Sequence, residues 1–455
     1  MNIIVVGCGK VGRKLVSQLS HEKEHNITVI DSRQAIVQKL VNNYDIMGVV
    51  GSGTDVDILN EASVEDADVL IAVTGSDELN LMVCLMAKKL GDCNTIARVR
   101  KPEYYKAINI IKEELGLALV VNPEMSAANE IARILRFPSA IKIDTFAKGR
   151  VEILKFEIPE GCVLDNMRVL EIAAKLGSYV LVCGVERGEQ AFIPSGNFVL
   201  HSGDQISIVA SIKETSAFFK KIGIRTNKVK DALIVGGSDT SYYLARNLMK
   251  TGIQVKIIEQ NQSRCDELFQ LLPNATIVNG DGTDNKLLME EGLATFDSFV
   301  SLTNIDEENV LLSLYAKTQT KGKVVTKINR IEYGNVIDDL QLGTTIYPKN
   351  ITAENIVRFV RAKRNSIGSN IETMHIILDG KAEALEFRIK ENSPVLGKTL
   401  AQLTLKENIL IACITRNGKV IIPRGQDTIE AGDTVVVVTL KKGFKDIRDI
   451  LAERG

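Results

Sequence analysis

A chain of 455 residues is too long for one ordinary core and divides into several domains. Fifty-six basic residues against 57 acidic ones leave a net charge of −1, which argues against a general nucleic-acid binder built on a basic excess. Composition is globular, at 45% hydrophobic and 25% charged residues, with no apolar run of the roughly 18 residues that direct membrane insertion requires. A first strand starts directly after Met1 with no basic segment ahead of an apolar one, so no signal peptide is expected. Seven cysteines (8, 84, 93, 162, 183, 265 and 413) form no CxxC or zinc spacing and read as reduced thiols. The four histidines, at 21, 25, 201 and 375, show no metal-ligand spacing, so no metal site is expected.

Asn2-Ile-Ile-Val-Val-Gly7-Cys-Gly9-Lys-Val-Gly12 is an apolar strand entering a Gly-rich turn that opens a helix through Leu15 and Leu19. A second strand, Ile27-Thr-Val-Ile-Asp31, ends in an acid 19 residues beyond Gly12. This is the dinucleotide-binding pattern. Gly7 suits the tight turn, Gly9 lets backbone approach a pyrophosphate, and Gly12 lets the helix pack closely. The phosphates would lie on the helix N-terminus, and Asp31 would accept from a ribose 2′-OH.

Strand candidates at 2–6, 27–31, 46–50, 69–73, 95–99 and 117–121 alternate with amphipathic helices, which predicts a doubly wound parallel sheet. Gly51-Ser-Gly-Thr54-Asp55 and Thr74-Gly-Ser-Asp77-Glu78-Leu-Asn80 both lie between a strand and a helix, hence at the carboxyl edge of that sheet. Thr54 and Asp77 suit helix N-caps as well as ligand contact. Arg98 ends the fifth strand on the same edge, where it can reach a phosphate. Pro123-Glu124 starts a connecting helix running to Phe137-Pro138. Short alternating strands follow at 151–158, 179–185 and 205–210, with short helices near 166–176 and 213–221, forming a small α+β domain.

The chain then repeats. Gly7 returns as Gly236, Thr54-Asp55 as Thr283-Asp284, Thr74, Asp77, Glu78 and Asn80 as Thr303, Asp306, Glu307 and Asn309, and Gly203-Asp204 as Gly432-Asp433, all at one shift of 229 positions. The layout is therefore a first nucleotide domain (1–122), connecting helix (123–138) and small domain (139–225). A second nucleotide domain (230–346), connecting helix (347–366) and small domain (370–455) follow. The second turn is degenerate: Ser238 and Ser241 stand for Gly9 and Gly12, and Asp239 for Lys10, while the acid survives as Glu259. A weakened or altered second site at Gly236 and Glu259 is expected. The second connecting helix carries Arg358, Arg361, Lys363 and Arg364, a basic face.

No Tyr-x-x-x-Lys acid, paired histidine or Cys/His pair follows the glycine pattern, and no Gly-x-x-x-x-Gly-Lys-[Ser/Thr] is present. A nucleotide used as a signal therefore outranks an NAD-dependent oxidoreductase. A third reading places a sensor of another small ligand in the small domains. Gly7-Cys-Gly-Lys-Val-Gly12, Gly51-Ser-Gly-Thr-Asp55, Thr74-Gly-Ser-Asp-Glu-Leu-Asn80, Ala97-Arg-Val-Arg-Lys-Pro-Glu-Tyr104 and the tandem small domain resemble the TrkA family of regulatory subunits of Trk potassium uptake. The resemblance implies tandem Rossmann-like RCK N-terminal domains, each followed by an RCK C-terminal domain. It implies a peripheral cytoplasmic ring, on the inner face of the cell membrane, against a potassium-translocating subunit and responsive to NAD(H) and, in some relatives, ATP/ADP. The family's ligand positions fall on Gly7, Cys8, Gly9, Lys10, Val11, Asp31, Thr54, Asp55, Val73, Thr74 and Arg98. Asp31 favours NAD(H) over NADP(H), with Arg33 close by. Some single-copy relatives bind a divalent cation at the position of Glu124, which Lys349 replaces in the second half.

Overall fold

The structure, a computed structural model, describes residues 1–20, 25–136, 142–146, 151–177, 180–210, 212–224, 229–329, 340, 342–366, 371–378, 381–441, 443–444 and 446–452. His21, Phe137, Pro138 and Tyr179 lie outside the described residues. The chain divides into two compact units: Met1–Arg136 with Lys228–Val357, and Phe137–Asn227 with Arg358–Gly455.

The first unit begins with β1 (Asn2–Val6), α1 (Lys10–Leu19), β2 (Asn26–Asp31), α2 (Gln34–Asn43), β3 (Met47–Val50), α3 (Val56–Glu61), β4 (Val69–Ala72), α4 (Asp77–Gly91), β5 (Asn94–Arg98), α5 (Pro102–Ile111), β6 (Leu117–Val121) and α6 (Pro123–Arg136). The strands are parallel in the order β3-β2-β1-β4-β5-β6. The order reverses at β1, so the crevice for a ligand opens beyond the carboxyl ends of β1 and β4. β4 is buried at every residue, as expected of a parallel strand covered on both faces.

A small domain follows, with β7 (Lys142–Phe146), β8 (Val151–Glu157), α7 (Glu171–Leu176), β9 (Leu181–Arg187), β10 (Gln190–Phe192), β11 (Gln205–Ala210) and α8 (Ile212–Lys221). The second large domain contains β12 (Asp231–Val235), α9 (Asp239–Lys250), β13 (Gln254–Glu259), α10 (Gln262–Leu271), β14 (Thr276–Asn279), α11 (Asn285–Glu290), β15 (Ser298–Ser301), α12 (Asp306–Gln319), β16 (Lys323–Lys327) and β17 (Thr344–Ile346). Its order, β14-β13-β12-β15-β16-β17, repeats the first sheet. The connecting helix α13 (Pro348–Ser366) leads to β18 (Ile371–Ile377), β19 (Ala382–Arg388), β20 (Ile409–Arg416), β21 (Lys419–Ile421) and β22 (Thr434–Thr439).

Within the first unit the two large domains share one core. Ala127, Ala128, Ile131 and Leu135 of α6 pack with Tyr242, Tyr243, Leu244 and Leu248 of α9. Asn122 Nδ2 donates to the Tyr243 hydroxyl at 3.2 Å, and Asn247 Nδ2 to Asn129 Oδ1 at 2.7 Å. Small alanines on α6 let the two helices approach closely enough for these bonds.

In the second unit each small domain is an antiparallel sheet, ordered β10-β9-β11-β8-β7 and β18-β19-β22-β20-β21. One face of the first packs on Phe218 and Phe219 of α8, while opposite faces of the two sheets meet through Ile153, Cys183, Ala384 and Val436. The repeated Gly-Asp is structural. Asp204, 1% exposed, accepts from Arg187 and the His201 N–H, and Asp433 does the same with Arg416 and Glu430. The helix expected over 166–176 starts only at Glu171. Asn166 takes a left-handed φ of 59°, and the N–H groups of Asn166, Val169 and Leu170 donate to carbonyls at Leu200, Phe198 and Gly196. That cross-loop pairing satisfies backbone donors that a helix would have used.

Candidate functional site

The turn from β1 to α1 has the geometry its glycines suggest. Gly7 has φ +95°, and a Cβ there would meet the Thr74 backbone at 2.8 Å. At Gly12 a Cβ would sit 2.0 Å from the Gly7 carbonyl oxygen, so the close approach is to the turn more than to the sheet. Gly9 differs, since nothing lies within 4 Å of a Cβ built on it. No protein neighbour demands a glycine there, which leaves the open side of the turn for something else to approach. Lys10 is exposed and Val11 buried at the start of α1.

Asp31, at the end of β2, is 6% exposed and already engaged. Its Oδ2 accepts from the Cys8 N–H at 2.7 Å, so the acid pins the glycine turn. Burial pushes its carboxyl up, but hydrogen bonds from the Arg33 side chain, the Arg33 N–H and the Cys8 N–H outweigh that and hold it below the usual range. The Cys8 thiol is pushed up to about 12, by burial first and the neighbouring Asp31 second, so it is no nucleophile.

Across the crevice, Asn80 of α4 organises the end of β4. Its Oδ1 accepts from the N–H and the hydroxyl of Thr74, both at 2.7 Å, and its Nδ2 donates to the Arg98 carbonyl at 2.8 Å. Val73, just ahead, is buried and donates its N–H to the Val6 carbonyl at 2.8 Å. The Arg98 guanidinium donates to the Thr74 carbonyl, while its buried Nε has no hydrogen-bond partner among the described residues. Asp77 is not a cap: Ser76 caps α4 by accepting from Leu79, and Asp77 accepts from the N–H groups of Arg100 and Lys101. Likewise Asp55, not Thr54, caps α3, accepting from Asp57. Both caps sit one residue from the expected position because the helices begin one residue earlier or later than periodicity alone implies. The Thr54 hydroxyl lies 2.9 Å from that of Ser52, on the exposed side of the loop.

The second half keeps this frame and changes its lining. Gly236 has φ +98°. Glu259 Oε2 accepts from the Gly237 N–H at 2.5 Å, just as Asp31 holds Cys8. The longer acid is matched by a smaller facing residue, since a Cβ at Gly237 would lie 2.9 Å from the Glu259 side chain. Ser241 Oγ donates to the Gly236 carbonyl, so here a side chain bonds the turn carbonyl whose counterpart, that of Gly7, lies against Gly12. Arg264 of α10 donates to the Gly237 carbonyl at 2.6 Å and to Asp239 at 2.8 Å, tying the turn down. A cavity of about 220 Å³ opens here, lined by Glu259, Asp281, Thr283, Thr303 and Glu308 among others, with no Lys or Arg in its lining. That lining disfavours a phosphate chain.

Between the two crevices, Glu124 at the start of α6 has its carboxyl pushed up by burial, with Arg100 and Arg98 acting in the opposite direction. Lys327, the counterpart of Arg98, is 4% exposed and donates to the Leu302 carbonyl at 3.0 Å. Burial pushes its ammonium down to about 8. Among the described residues no group of three or more His, Cys, Asp or Glu side chains could hold a metal ion. Sequence reasoning missed the organising roles of Asn80, Arg100 and Arg264; recurrence of Asn80 as Asn309 was the available signal.

Two parallel sheets with a nucleotide-type turn, each joined to a small antiparallel domain, define a tandem dinucleotide-binding architecture. The TrkA-N domain model matches residues 3–123 and 232–348, and the TrkA-C domain model 153–223 and 384–452. The "Trk system potassium uptake protein TrkA homolog 1" of Methanosarcina mazei is 30% identical, over 98% of this chain and 99% of its own. The "Trk system potassium uptake protein TrkA" of Haemophilus influenzae is 29% identical, over 99% of this chain and 98% of its own. Among solved structures, "GsuK channel bound to NAD" shares the fold with a TM-score of 0.64 at 17% identity, covering 96% of this chain and 76% of that one. The chain belongs to the TrkA family.

Proposed function

We propose that this chain is a nucleotide-sensing subunit that gates potassium uptake by a separate membrane partner, with NAD(H) bound in the crevice of its first half. The observation that carries the reading is Gly9: a glycine with no protein neighbour on its open side, in a turn whose other two glycines are each required by close backbone. The ligand would lie over Gly7, Cys8, Gly9, Lys10 and Val11, with Asp31 toward the ribose and Val73, Thr74, Thr54, Asp55 and Arg98 along the opposite edge. Arg98 offers an orphaned buried Nε to that edge. ATP or ADP, which also present a free ribose diol, compete for the same crevice in this reading. Family membership supports the potassium role. No helix among the described residues is long and apolar enough to cross a membrane. Several copies assembled as a ring beneath the translocating subunit would convert a ligand-dependent change of shape into a change of pore state.

Calorimetric titration of the full chain with NADH tests this. One site per chain is expected. Asp31→Ala should weaken it by about 1–3 kcal/mol, the scale of a lost charge-assisted hydrogen bond, and Glu259→Ala much less. Unchanged affinity in Asp31→Ala would sink the site, and an equal loss in both variants would sink the asymmetry.

A further inference from the structure

Arg33 is the residue that this reading does not use. Its side chain is 58% exposed yet folds back on Asp31. Nε lies 2.9 Å from Oδ1 and Nη2 3.0 Å from Oδ2, a bidentate pair. The Arg33 N–H donates to Oδ1 at 3.0 Å, and the Cys8 N–H to Oδ2 at 2.7 Å. Four donors therefore fill the roughly four acceptor directions of one carboxylate. Two of them are backbone groups fixed by the glycine turn and by the start of α2. A ribose diol reaching Asp31 can displace only the guanidinium. The second half provides an internal contrast. There Glu259 accepts from the N–H groups of Gly237 and Asn261, and Asn261 stands where Arg33 would be, with no guanidinium to offer.

Charge argues the same way. A carboxylate at the end of this strand repels a 2′-phosphate, which is how such sites select unphosphorylated ribose. An arginine two residues on offsets that charge and presents a planar fork suited to phosphate.

Resting on the nucleotide reading above, we propose that Arg33 is a specificity-determining residue: its guanidinium caps Asp31 in the ligand-free chain, swings away when ribose binds, and then pairs with a phosphate on the ribose 2′ oxygen. The site then accepts 2′-phosphorylated dinucleotides that Asp31 alone would reject. Arg33 competes with one class of ligand and assists the other.

The test is calorimetric titration of the full chain, wild type, Arg33→Ala and Arg33→Lys, with NADH and NADPH as probes. Arg33→Ala should tighten NADH by about two- to fivefold, the scale of releasing an exposed ion pair. The same change should weaken NADPH by about tenfold or more. Arg33→Lys, keeping charge without the fork, should fall between. Opposite movement of the two affinities is a signature that a merely structural role would not give. If both affinities move together, or neither moves, the cap is refuted, while NADH binding that is lost in Asp31→Ala keeps the nucleotide reading intact. A wild-type chain that binds neither probe overturns both.

Discussion

The two glycine turns of this chain share a strand order, a glycine at positive φ and an acid on the turn's amide, and differ in nearly everything that would touch a phosphate. Gly7 and Gly236, at φ +95° and +98°, are both kept because backbone crowds them. Gly9, which nothing crowds, has become Ser238. Asp31 and Glu259 are both kept although the second crevice is lined with carboxylates, because each holds the turn's N–H. The acid of the pattern thus has a structural duty of its own, so its survival in a half is weak evidence that the half binds anything. Drift is not confined to what only a ligand needs: Gly12, which the Gly7 carbonyl crowds, has become Ser241, whose hydroxyl donates to the Gly236 carbonyl.

The comparison can be broken most severely at Gly12. Gly12→Ser places a Cβ 2.0 Å from a carbonyl oxygen, so it should cost about 3 kcal/mol and abolish NADH binding. Ser241→Gly, losing the hydroxyl's contacts with the Gly236 carbonyl and the Ser238 hydroxyl, should cost about 1 kcal/mol. Thermal scans and NADH titrations check both, and similar costs would mean that the two turns are under the same constraint. Asn80→Ala and Asn309→Ala sharpen the contrast. Each removes a fully buried amide and strands the N–H of Thr74 or Thr303, so both should cost about 1–3 kcal/mol. Only Asn80→Ala should also weaken NADH. If Asn309→Ala weakens it equally, the halves are functionally coupled.

The smallest effect concerns Lys327, which burial holds near 8 against an ordinary 10.5. Between those values the unfolded chain binds a proton that the folded chain lacks, so the folded state gains stability as pH rises from about 8 to 10.5. Lys327→Met should remove that rise, as followed by thermal midpoint against pH. An unchanged slope would show that the ammonium stays charged.

Much of the fold was legible because its signals are periodic. Wholly apolar strands such as Val69-Leu-Ile-Ala mark a buried parallel sheet, and a constant shift of 229 ties the halves together. The need for glycine at 7 and 12 was legible, but the crowding at Gly12 comes from the Gly7 carbonyl more than from the sheet. Long side chains were not: Arg33 on Asp31, Arg264 on the second turn and Arg100 on Asp77 join residues whose spacing carries no period. The segment 166–170 misled because its helical pattern loses to pairing with 196–200, a contact no local window contains. The caps at Asp55 and Ser76 misled by a single residue.

The α6–α9 contact has a consequence for how the duplicated gene product can be handled. Ala127, Ala128, Ile131 and Leu135 on one side, and Tyr242, Tyr243, Leu244 and Leu248 on the other, bury one another within a single core. A chain severed between its repeats would expose both apolar faces to water. Each fragment should then seek a second copy or precipitate, and mixing the two fragments should restore a soluble heterodimer. Fusion of the repeats holds two unlike partners at one-to-one stoichiometry, so that one half is free to diverge while its neighbour retains the full glycine turn.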